Sequence, residues 1–333
     1  MEEKQLTIVL ERIANSLEKI AERLEYATKE QLLGAILSTL NNIEIPQKLV
    51  KNNNNDTSPQ SNHTVQNGDS IAPVEHHNNV NVLIDFLAQK HIHVKTFNSE
   101  EEADVVFNRI AFFMGERYLL IRKFYERIKS TMNSGHSFMM SLKDETQESI
   151  SSICALANEL YRIAFLEEYS YQKSPRFLLY ARPNRIPKAI NFFTGQWLER
   201  FVKESIVQLL DKEFPMLSYH HLLNAQIVLP NGKDFELDLL FQVENQIYWF
   251  EAKTGEYQKY VDKYSKVSQY LELDKSHSFM ILIDRDDCST KALSDIFSLT
   301  VVSSDRFAEE FKKILLINFE KELASVGTIG QEQ

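Results

Sequence analysis

Three charged side chains stand in segments of this sequence whose other residues are typical of buried strands. Asp238 interrupts the run FELDLLFQV, and Glu251 and Lys253 follow the aromatic residues of QIYWFEAK. Runs of Leu, Val, Ile and aromatic residues favour sheet strands. Because a buried charge is costly unless it is paired or binds a metal ion, the sequence predicts either a buried ion pair or a metal-dependent site.

The spacing of these residues indicates how they could meet. Glu251 and Lys253 have the same parity, so both side chains leave one face of their strand. Residues Val243 to Gln246 are predicted to form a hairpin turn, with Asn245 at a positive φ, which makes the two strands antiparallel. If Asp238 points to the same face, two carboxylates and an ammonium converge at the open end of the hairpin.

Such a group of side chains has a definite chemistry. Two neighbouring carboxylates repel each other, and a divalent cation removes that repulsion. Oxygen ligands of this kind suit Mg²⁺ or Mn²⁺. A bound cation lowers the pKa of its water and stabilises charge on a phosphoryl oxygen, while a nearby lysine balances developing negative charge. The set therefore predicts hydrolysis of phosphodiester bonds.

The secondary-structure elements that would position this site follow one another in the second half of the chain. Their sequences are the helix WLERFVKESIVQLLDKEF, the strands AQIVLP, FELDLLFQV and QIYWFEAK, the helix YQKYVDKYSKVSQYLEL, and the strands SFMILIDRD and LTVVS. A closing helix, which Ser304 or Asp305 could cap, follows. This order predicts an α/β domain over residues 190–320.

The order and the charged residues together resemble the PD-(D/E)XK nucleases, the restriction-endonuclease-like superfamily. The motif of that superfamily is an acid on the second core strand and acid-x-lysine on the third. It is matched by Asp238 and by Glu251-Ala252-Lys253. The resemblance covers about residues 190–302. It implies an αβββαβ core and a nuclease that depends on Mg²⁺ or Mn²⁺.

The resemblance also implies further site residues. Many members have a glutamate on the preceding core helix, and Glu199 in GQWLERFV matches that position. The implied metal ligands are Asp238, Glu251, the main-chain carbonyl of Ala252 and, through a water, Glu199. Many members also use a lysine or glutamine on the helix after the third strand. Lys266 and Gln269, which can share a helical face, are the candidates, and simple solvent exposure is the alternative.

Within the superfamily, the segments GQWLE, ELDLL and EAKTG are most similar to nucleases found as CRISPR accessory proteins. Those proteins have an N-terminal Rossmann-like domain that senses cyclic oligonucleotides. The first half of this chain shows no βαβ pattern. The resemblance therefore applies to the nuclease domain, and it suggests a role in defence against foreign nucleic acid.

A basic run leads into the helix that carries Glu199. Between Ser170 and Leu198 there is no acidic residue, and three aromatic residues interleave with basic ones. The basic residues are Lys173, Arg176, Arg182, Arg185 and Lys188. In a chain of net charge -10 this run predicts a phosphate-binding surface, and a solvated basic loop is the alternative.

The rest of the chain divides by composition and periodicity. Residues 1–45 include apolar residues at alternating spacings of three and four, which predicts a coiled-coil oligomerisation segment or a helix that packs on its own chain. Residues 46–79, rich in Asn and Ser, are predicted to be a disordered linker. Residues 80–189 carry long helical patterns and are predicted to form an all-helical domain, and residues 321–333 a flexible tail.

Composition limits the class of protein. The net charge of -10 argues against a protein that coats nucleic acid indiscriminately, although it allows a local basic groove. With only Cys154 and Cys288, a disulfide framework and a cysteine-based zinc site are excluded. No apolar run approaches the roughly 18 to 20 residues of a membrane helix, and the acidic start is unlike a signal peptide. We therefore expect a cytoplasmic protein that does not bind membranes.

These features together predict a metal-dependent nuclease, most consistent with a DNA endonuclease that forms a homo-oligomer through its N-terminal helices. An RNase or a nuclease of mixed specificity is the first alternative, because no motif that reads the 2′-OH decides between them. A catalytically inactive nucleic-acid-binding scaffold is the second. The presence of Asp238, Glu251 and Lys253 disfavours that last alternative.

Overall fold

A computed structural model of the chain describes residues 78–99, 104–283, 285 and 287–329, with side chains to residue 319 except those of residues 259, 261 and 287. The predicted coiled-coil segment and all but the last two residues of the predicted linker lie outside the described residues. Among the helices described, none combines the length and the apolar character needed to span a bilayer.

The described residues form a mixed α/β fold with two sheets. The helices are α1 (Val80–Gln89), α2 (Asp104–Glu116), α3 (Tyr118–Met132), α4 (Gln147–Arg162), α5 (Pro187–Asn191), α6 (Trp197–Glu213), α7 (Val261–Leu271), α8 (Asp287–Phe297) and α9 (Phe307–Ile329). The strands are β1 (His93–Asn98), β2 (Phe138–Ser141), β3 (Leu166–Gln172), β4 (Leu178–Pro183), β5 (Tyr219–Val228), β6 (Asp234–Val243), β7 (Gln246–Lys253), β8 (Ser278–Leu282) and β9 (Thr300–Ser303). A π-helical turn, Phe192–Gln196, joins α5 to α6, and a 3₁₀ turn precedes α7.

The larger sheet has six strands in the order β1-β5-β6-β7-β8-β9. The pairs from β1 to β7 are antiparallel, and β7, β8 and β9 are parallel to one another. Parallel neighbours need a crossover connection, which α7 and α8 provide. The elements α6, β5, β6, β7, α7 and β8 follow the αβββαβ order predicted from the sequence.

One face of this sheet packs against α1 and α7. Leu83 and Leu87 of α1 and Val267 and Leu271 of α7 are fully buried in the same core as Trp249 of β7. Strands that are covered on both faces consist of nearly continuous apolar runs. This explains why apolar residues predominate in β6 and β7.

The opposite face of the sheet carries an aromatic cluster. Phe250 of β7 stacks on Phe279 of β8 with ring centroids 4.9 Å apart. Phe311 of α9 meets these two rings edge-on, at 5.1 and 5.6 Å. Edge-to-face contacts of this kind add to the stabilisation from burial. They fix α9 on the sheet.

The smaller sheet corrects the prediction of an all-helical region over residues 80–189. It is antiparallel with the order β2-β4-β3, and β1 of the larger sheet also lies in this region. These strands are only four to seven residues long and stand between long helical patterns. Periodicity alone separates short strands poorly from helices, which explains the wrong prediction.

The structure also removes the domain boundary predicted near residue 190. β1 pairs with β5, with His93 opposite Val228. Leu83 and Leu87 of α1 and Ile92, which leads into β1, are buried in the core of the six-stranded sheet. Residues 80–98 therefore belong to the same structural unit as β5 to β9.

Two local predictions are also corrected. The β6–β7 hairpin is confirmed, but the positive φ of 52° falls on Glu244 and not on Asn245. Glu244 is held in place because its N–H donates to the Ser218 carbonyl and its Oε1 accepts from the Ser218 N–H. The predicted flexible tail begins within α9, which continues to Ile329. Its Glu, Lys, Leu and Ala residues are good helix formers.

Candidate active site

The open end of the β6–β7 hairpin brings the three charged residues together. Leu239 and Phe250 are the last residues that pair between the two strands, and the next pair in this register is Asp238 opposite Glu251. Residues directly opposite in an antiparallel pair face the same side of the sheet. The structure therefore places both carboxylates on one face, with Lys253 two residues beyond Glu251.

The Lys253 ammonium contacts both carboxylates. Its Nζ lies 2.7 Å from Glu251 Oε1 and 2.9 Å from Asp238 Oδ2. The same Asp238 oxygen accepts a hydrogen bond of 2.9 Å from the Ala252 main-chain N–H. Asp238 is 5% exposed and Glu251 is 2% exposed. One ammonium thus faces two buried carboxylates.

The second oxygen of Glu251 has no hydrogen-bond partner among the described residues. An unsatisfied buried acceptor is costly and calls for an explanation. Burial, followed by the charge of Asp238, raises the pKa of Glu251 well above its ordinary value. A cation at this oxygen would relieve both costs.

Glu199, in the first turn of α6, supplies a third carboxylate. Its Oε2 accepts a hydrogen bond of 2.6 Å from Asn224 Nδ2 of β5. Asn224 lies opposite Asp238 in the β5–β6 register and has a positive φ of 49°. Burial and the charge of Asp238 raise the pKa of Glu199 to about 8. Sequence reasoning missed Asn224, although a polar residue in an apolar strand was a signal.

The π-helical turn before α6 positions Glu199. Turns of this kind within helices are frequently found at functional sites. The Thr194 Oγ1 donates to the Ile190 carbonyl, and the Thr194 carbonyl accepts a 2.9 Å hydrogen bond from Thr254 Oγ1. Thr254 directly follows Lys253. The turn is thus tied to the end of the strand that carries two of the charged residues.

The site opens into a cleft of about 560 Å³. The charged residues that line it are Glu199, Glu236, Asp238, Glu256, Lys129 and Lys253. Four carboxylates and two lysines leave the cleft with negative charge. Lys129 comes from α3, in the region to which sequence analysis assigned no chemistry. A phosphate group would need an additional cation to enter such a cleft favourably.

Helix α7 contributes a different residue from those predicted. Lys253 Nζ lies 5.6 Å from the centre of the Tyr264 ring, a cation–π distance. Burial and the charge of Glu251 raise the pKa of Tyr264. Burial opposes the charge on Lys253, but Glu251 and Asp238 outweigh it and raise the pKa of Lys253. Lys253 therefore stays protonated.

The structure does not bring Lys266 and Gln269 into the cleft. Both side chains are exposed, and Gln269 lines a separate cleft with Ser265 and Ser268. Tyr264 occupies the buried face of α7 that meets the sheet. The three-residue spacing placed Lys266 and Gln269 on one helical face, but that face points away from Asp238.

The basic run does not form one continuous surface. Arg182 Nε lies 2.9 Å from Glu167 Oε2, and a second guanidinium nitrogen contacts Glu168. The absence of acids from the run is therefore misleading, because strand pairing places two glutamates of β3 beside Arg182. The charge of Arg182 is already paired with these two glutamates, which argues against the predicted contact between Arg182 and phosphate.

The other basic residues of the run lie in different settings. Arg176 donates to Gln172 at 3.4 Å, across the β3–β4 hairpin. Lys173, Arg185 and Lys188 are exposed. Lys188 is on α5, one turn before the cleft residue Asn191. Of the five, Lys188 is nearest in sequence to a cleft-lining residue.

The donor atoms fit a divalent cation, although the acids do not form a ready-made cage. Within the described part of the chain, no group of three His, Cys, Asp or Glu side chains is arranged to hold a metal ion. Mg²⁺ usually binds through one or two carboxylates and completes its shell with water and substrate oxygens. Asp238 and Glu251 supply two such carboxylates, one with an unsatisfied oxygen.

No protein-family model and no curated protein matches the chain. Among solved structures, the crystal structure of protein VC1899 from Vibrio cholerae is similar with a TM-score of 0.47 and 18% identity, over 72% of this chain and 61% of that one. Can2 from Sulfobacillus thermosulfidooxidans, in complex with cyclic tetra-adenylate, is similar with a TM-score of 0.46 and 14% identity, over 70% of this chain and 60% of that one. The chain thus matches about three fifths of the length of each of these proteins.

Proposed function

We propose that this protein is a metal-dependent nuclease of the PD-(D/E)XK type that hydrolyses phosphodiester bonds in DNA. The observation that supports it most is the buried group of Asp238, Glu251 and Lys253, which meets a negatively charged cleft. Two carboxylates share one lysine there, and one carboxylate oxygen has no partner among the described residues.

A structural ion pair explains this group less well. An ion pair needs one carboxyl group, whereas Asp238 and Glu251 both contact Lys253. Glu199 adds a third carboxyl group nearby. Buried ion pairs often give no more stability than apolar residues of the same volume. Excess carboxylates are unfavourable for folding, and they are useful if the site binds a cation.

Each residue of the site has a distinct proposed role. Asp238, Glu251 and the Ala252 carbonyl would hold Mg²⁺ or Mn²⁺, with Glu199 acting through a water. The bound ion would lower the pKa of its water and stabilise charge on phosphoryl oxygens. Lys253, which stays protonated between its two carboxylates, would place a positive charge beside the reacting phosphate.

The proposal includes an assembly and a setting. Residues 1–45 would join copies of the chain into a homo-oligomer, so that two sites could address the two strands of DNA. The protein would act in the cytoplasm, in defence against foreign nucleic acid. Deleting residues 1–45 should lower the number of chains per particle in light scattering, and an unchanged number would contradict the assembly.

A cleavage assay tests the activity. Wild type should cleave labelled DNA in Mg²⁺ or Mn²⁺ and lose cleavage in EDTA, and parallel single- and double-stranded RNA substrates measure the alternative of an RNase. Asp238→Asn and Glu251→Gln should each lower the rate by roughly 100-fold or more, because each removes a metal-binding carboxylate. Lys253→Met should lower the rate similarly and still bind metal.

Asp234→Asn is the matched control. Asp234 lies on β6, the strand that carries Asp238. Its carboxylate is paired with Lys95 at 2.6 Å and does not line the cleft. This variant should keep wild-type activity. Full activity in Asp238→Asn or Glu251→Gln would overturn the assignment of the site, and absence of cleavage of every substrate by wild type would overturn the activity.

A further inference from the structure

Lys129 reaches the cleft from the first half of the chain. Its Nζ lies 3.4 Å from the carbonyl oxygen and 3.3 Å from the Oγ1 of Thr254, the residue next to Lys253. It also lies 5.6 Å from the centre of the Tyr125 ring. These contacts hold the ammonium at the wall of the cleft that adjoins the proposed catalytic group.

The ammonium of Lys129 is half-buried without an anion beside it. Among the described residues its polar partners are the two Thr254 oxygens, and it makes no ion pair with a carboxylate. Burial lowers the pKa of Lys129 because this cost is not offset by a negative charge. An anionic ligand in the cleft would offset it.

The helix that carries Lys129 is rigidly placed. Tyr125, one turn earlier on α3, donates to the Phe193 carbonyl and accepts from Trp197 Nε1, both at 3.1 Å. Its ring contacts the Trp197 ring at 5.4 Å. This anchor connects α3 to the π-helical turn and to α6. Lys129 therefore needs little rearrangement to meet a ligand.

We propose that Lys129, with Thr254 and the cleft residue Asn191, forms a phosphate-binding subsite. The subsite holds the phosphodiester that neighbours the cleaved phosphodiester on the same substrate strand. This role rests on the proposed nuclease function. The ammonium of Lys129 and the amide of Asn191 can both donate to phosphate oxygens. Thr254, whose hydroxyl donates to the Thr194 carbonyl, holds the ammonium in place. Asp238, Glu251 and Lys253 would then act on the neighbouring phosphate.

Substrate affinity as a function of salt tests the subsite. Binding of one fluorescent DNA strand is measured in Ca²⁺, after checking that Ca²⁺ does not support its cleavage. Lys129→Met should weaken binding roughly tenfold, as expected for loss of one charged hydrogen-bonding contact. It should also reduce the slope of log affinity against log salt by about 0.7, the value for one phosphate contact on a single strand.

Two further variants separate this role from a structural one. Lys129→Arg keeps the positive charge and should therefore keep the slope of log affinity against log salt. If Lys129 only tethered Thr254, that slope would not depend on the charge at position 129. Arg127→Met removes an exposed cation of the same helix and should leave affinity and slope unchanged. An unchanged slope in Lys129→Met would overturn the subsite, even if its affinity fell.

Inorganic phosphate tests the subsite independently of the nuclease function. In protein labelled with ¹³C at the lysine ε-carbon, the signal that disappears in Lys129→Met belongs to Lys129. Phosphate added in the presence of Mg²⁺ should shift that signal saturably and more than other lysine signals. A Lys129 shift no larger than the shifts of the other lysine signals would overturn the subsite. A larger shift in a protein that neither binds nor cleaves nucleic acid would support the subsite and reject the nuclease.

Discussion

Asp238 and Glu251 share the single ammonium of Lys253 while each is almost fully buried. Glu199 stands close enough to Asp238 for the two charges to interact. In the absence of a cation, the repulsion among these groups is relieved by protonation, as the raised pKa values of Glu199 and Glu251 show. Protons and a divalent cation therefore compete for the same carboxylates, so metal affinity should increase with pH.

The metal-free protein should lose stability as the pH rises from about 5 to about 8. The pKa of Glu199 is about 8 in the folded state against an ordinary value of 4.5, because burial and Asp238 oppose its charge. The folded state thus binds the proton more tightly, and this stabilisation is complete below pH 4.5 and lost as the pH rises through 8. The contribution of this group to the free energy of unfolding should therefore fall steadily across this pH range.

Urea unfolding in EDTA at several pH values measures this effect. Glu199→Gln, which stays neutral, should show a smaller loss of stability between pH 5.5 and pH 7.5 than wild type. Equal losses in the two proteins would contradict the raised pKa of Glu199.

At the scale of elements, the position of Glu199 depends on how α6 packs against α2. Gly115 of α2 faces the ring of Phe201, and a Cβ at position 115 would lie only 2.1 Å from that ring. Arg200 of α6 pairs with Asp104 at 2.7 Å and donates to Asn108 at 2.6 Å. The first half of the chain thus sets the position of the helix that carries the third carboxylate.

Gly115→Ala should destabilise the protein by about 1 to 3 kcal/mol, the usual cost of overpacking. This result would oppose helix propensity, which favours Ala over Gly by about 1 kcal/mol. Gly255→Ala is the matched control, because an added Cβ there meets no atom within 4 Å. The free energy of unfolding in urea measures both. A Gly115→Ala protein as stable as wild type would show that α2 and α6 can separate at no cost.

At the scale of the whole molecule, the sheet and the cleft each draw on both halves of the chain. β1 completes the edge of the six-stranded sheet, and Leu83 and Leu87 cover its core. Lys129 of α3 lines the cleft together with residues of β6 and β7. A fragment that contains only the second half of the chain would lose all three contributions.

A fragment of residues 190–333 should therefore fail to fold, whereas residues 78–333 should fold. The shorter fragment exposes the core surface that α1 covers and leaves the β5 edge unpaired. Circular dichroism melting and the dispersion of amide signals in NMR distinguish the two outcomes. A cooperative melt and dispersed spectrum for residues 190–333 would restore the domain boundary predicted from the sequence.

The local features of the candidate site were predictable from the amino-acid sequence. The parity of Glu251 and Lys253, the hairpin before them and the acid at position 238 were all visible in segments of ten residues or fewer. The bounds of β7 and the order α6, β5, β6, β7, α7, β8 also agree with the prediction. Strand alternation, hairpin turns and helical periodicity are properties of neighbouring residues, so a single sequence displays them.

The residues that join the site from distant parts of the chain were not predictable in this way. Asn224 beside Glu199, Tyr264 beside Lys253 and Lys129 in the cleft depend on contacts between elements far apart in the chain. The same is true of the pairing of β1 with β5 and of the glutamates beside Arg182. Long-range pairing is selected by burial and packing of the complete core, and local patterns of residue type do not record that choice.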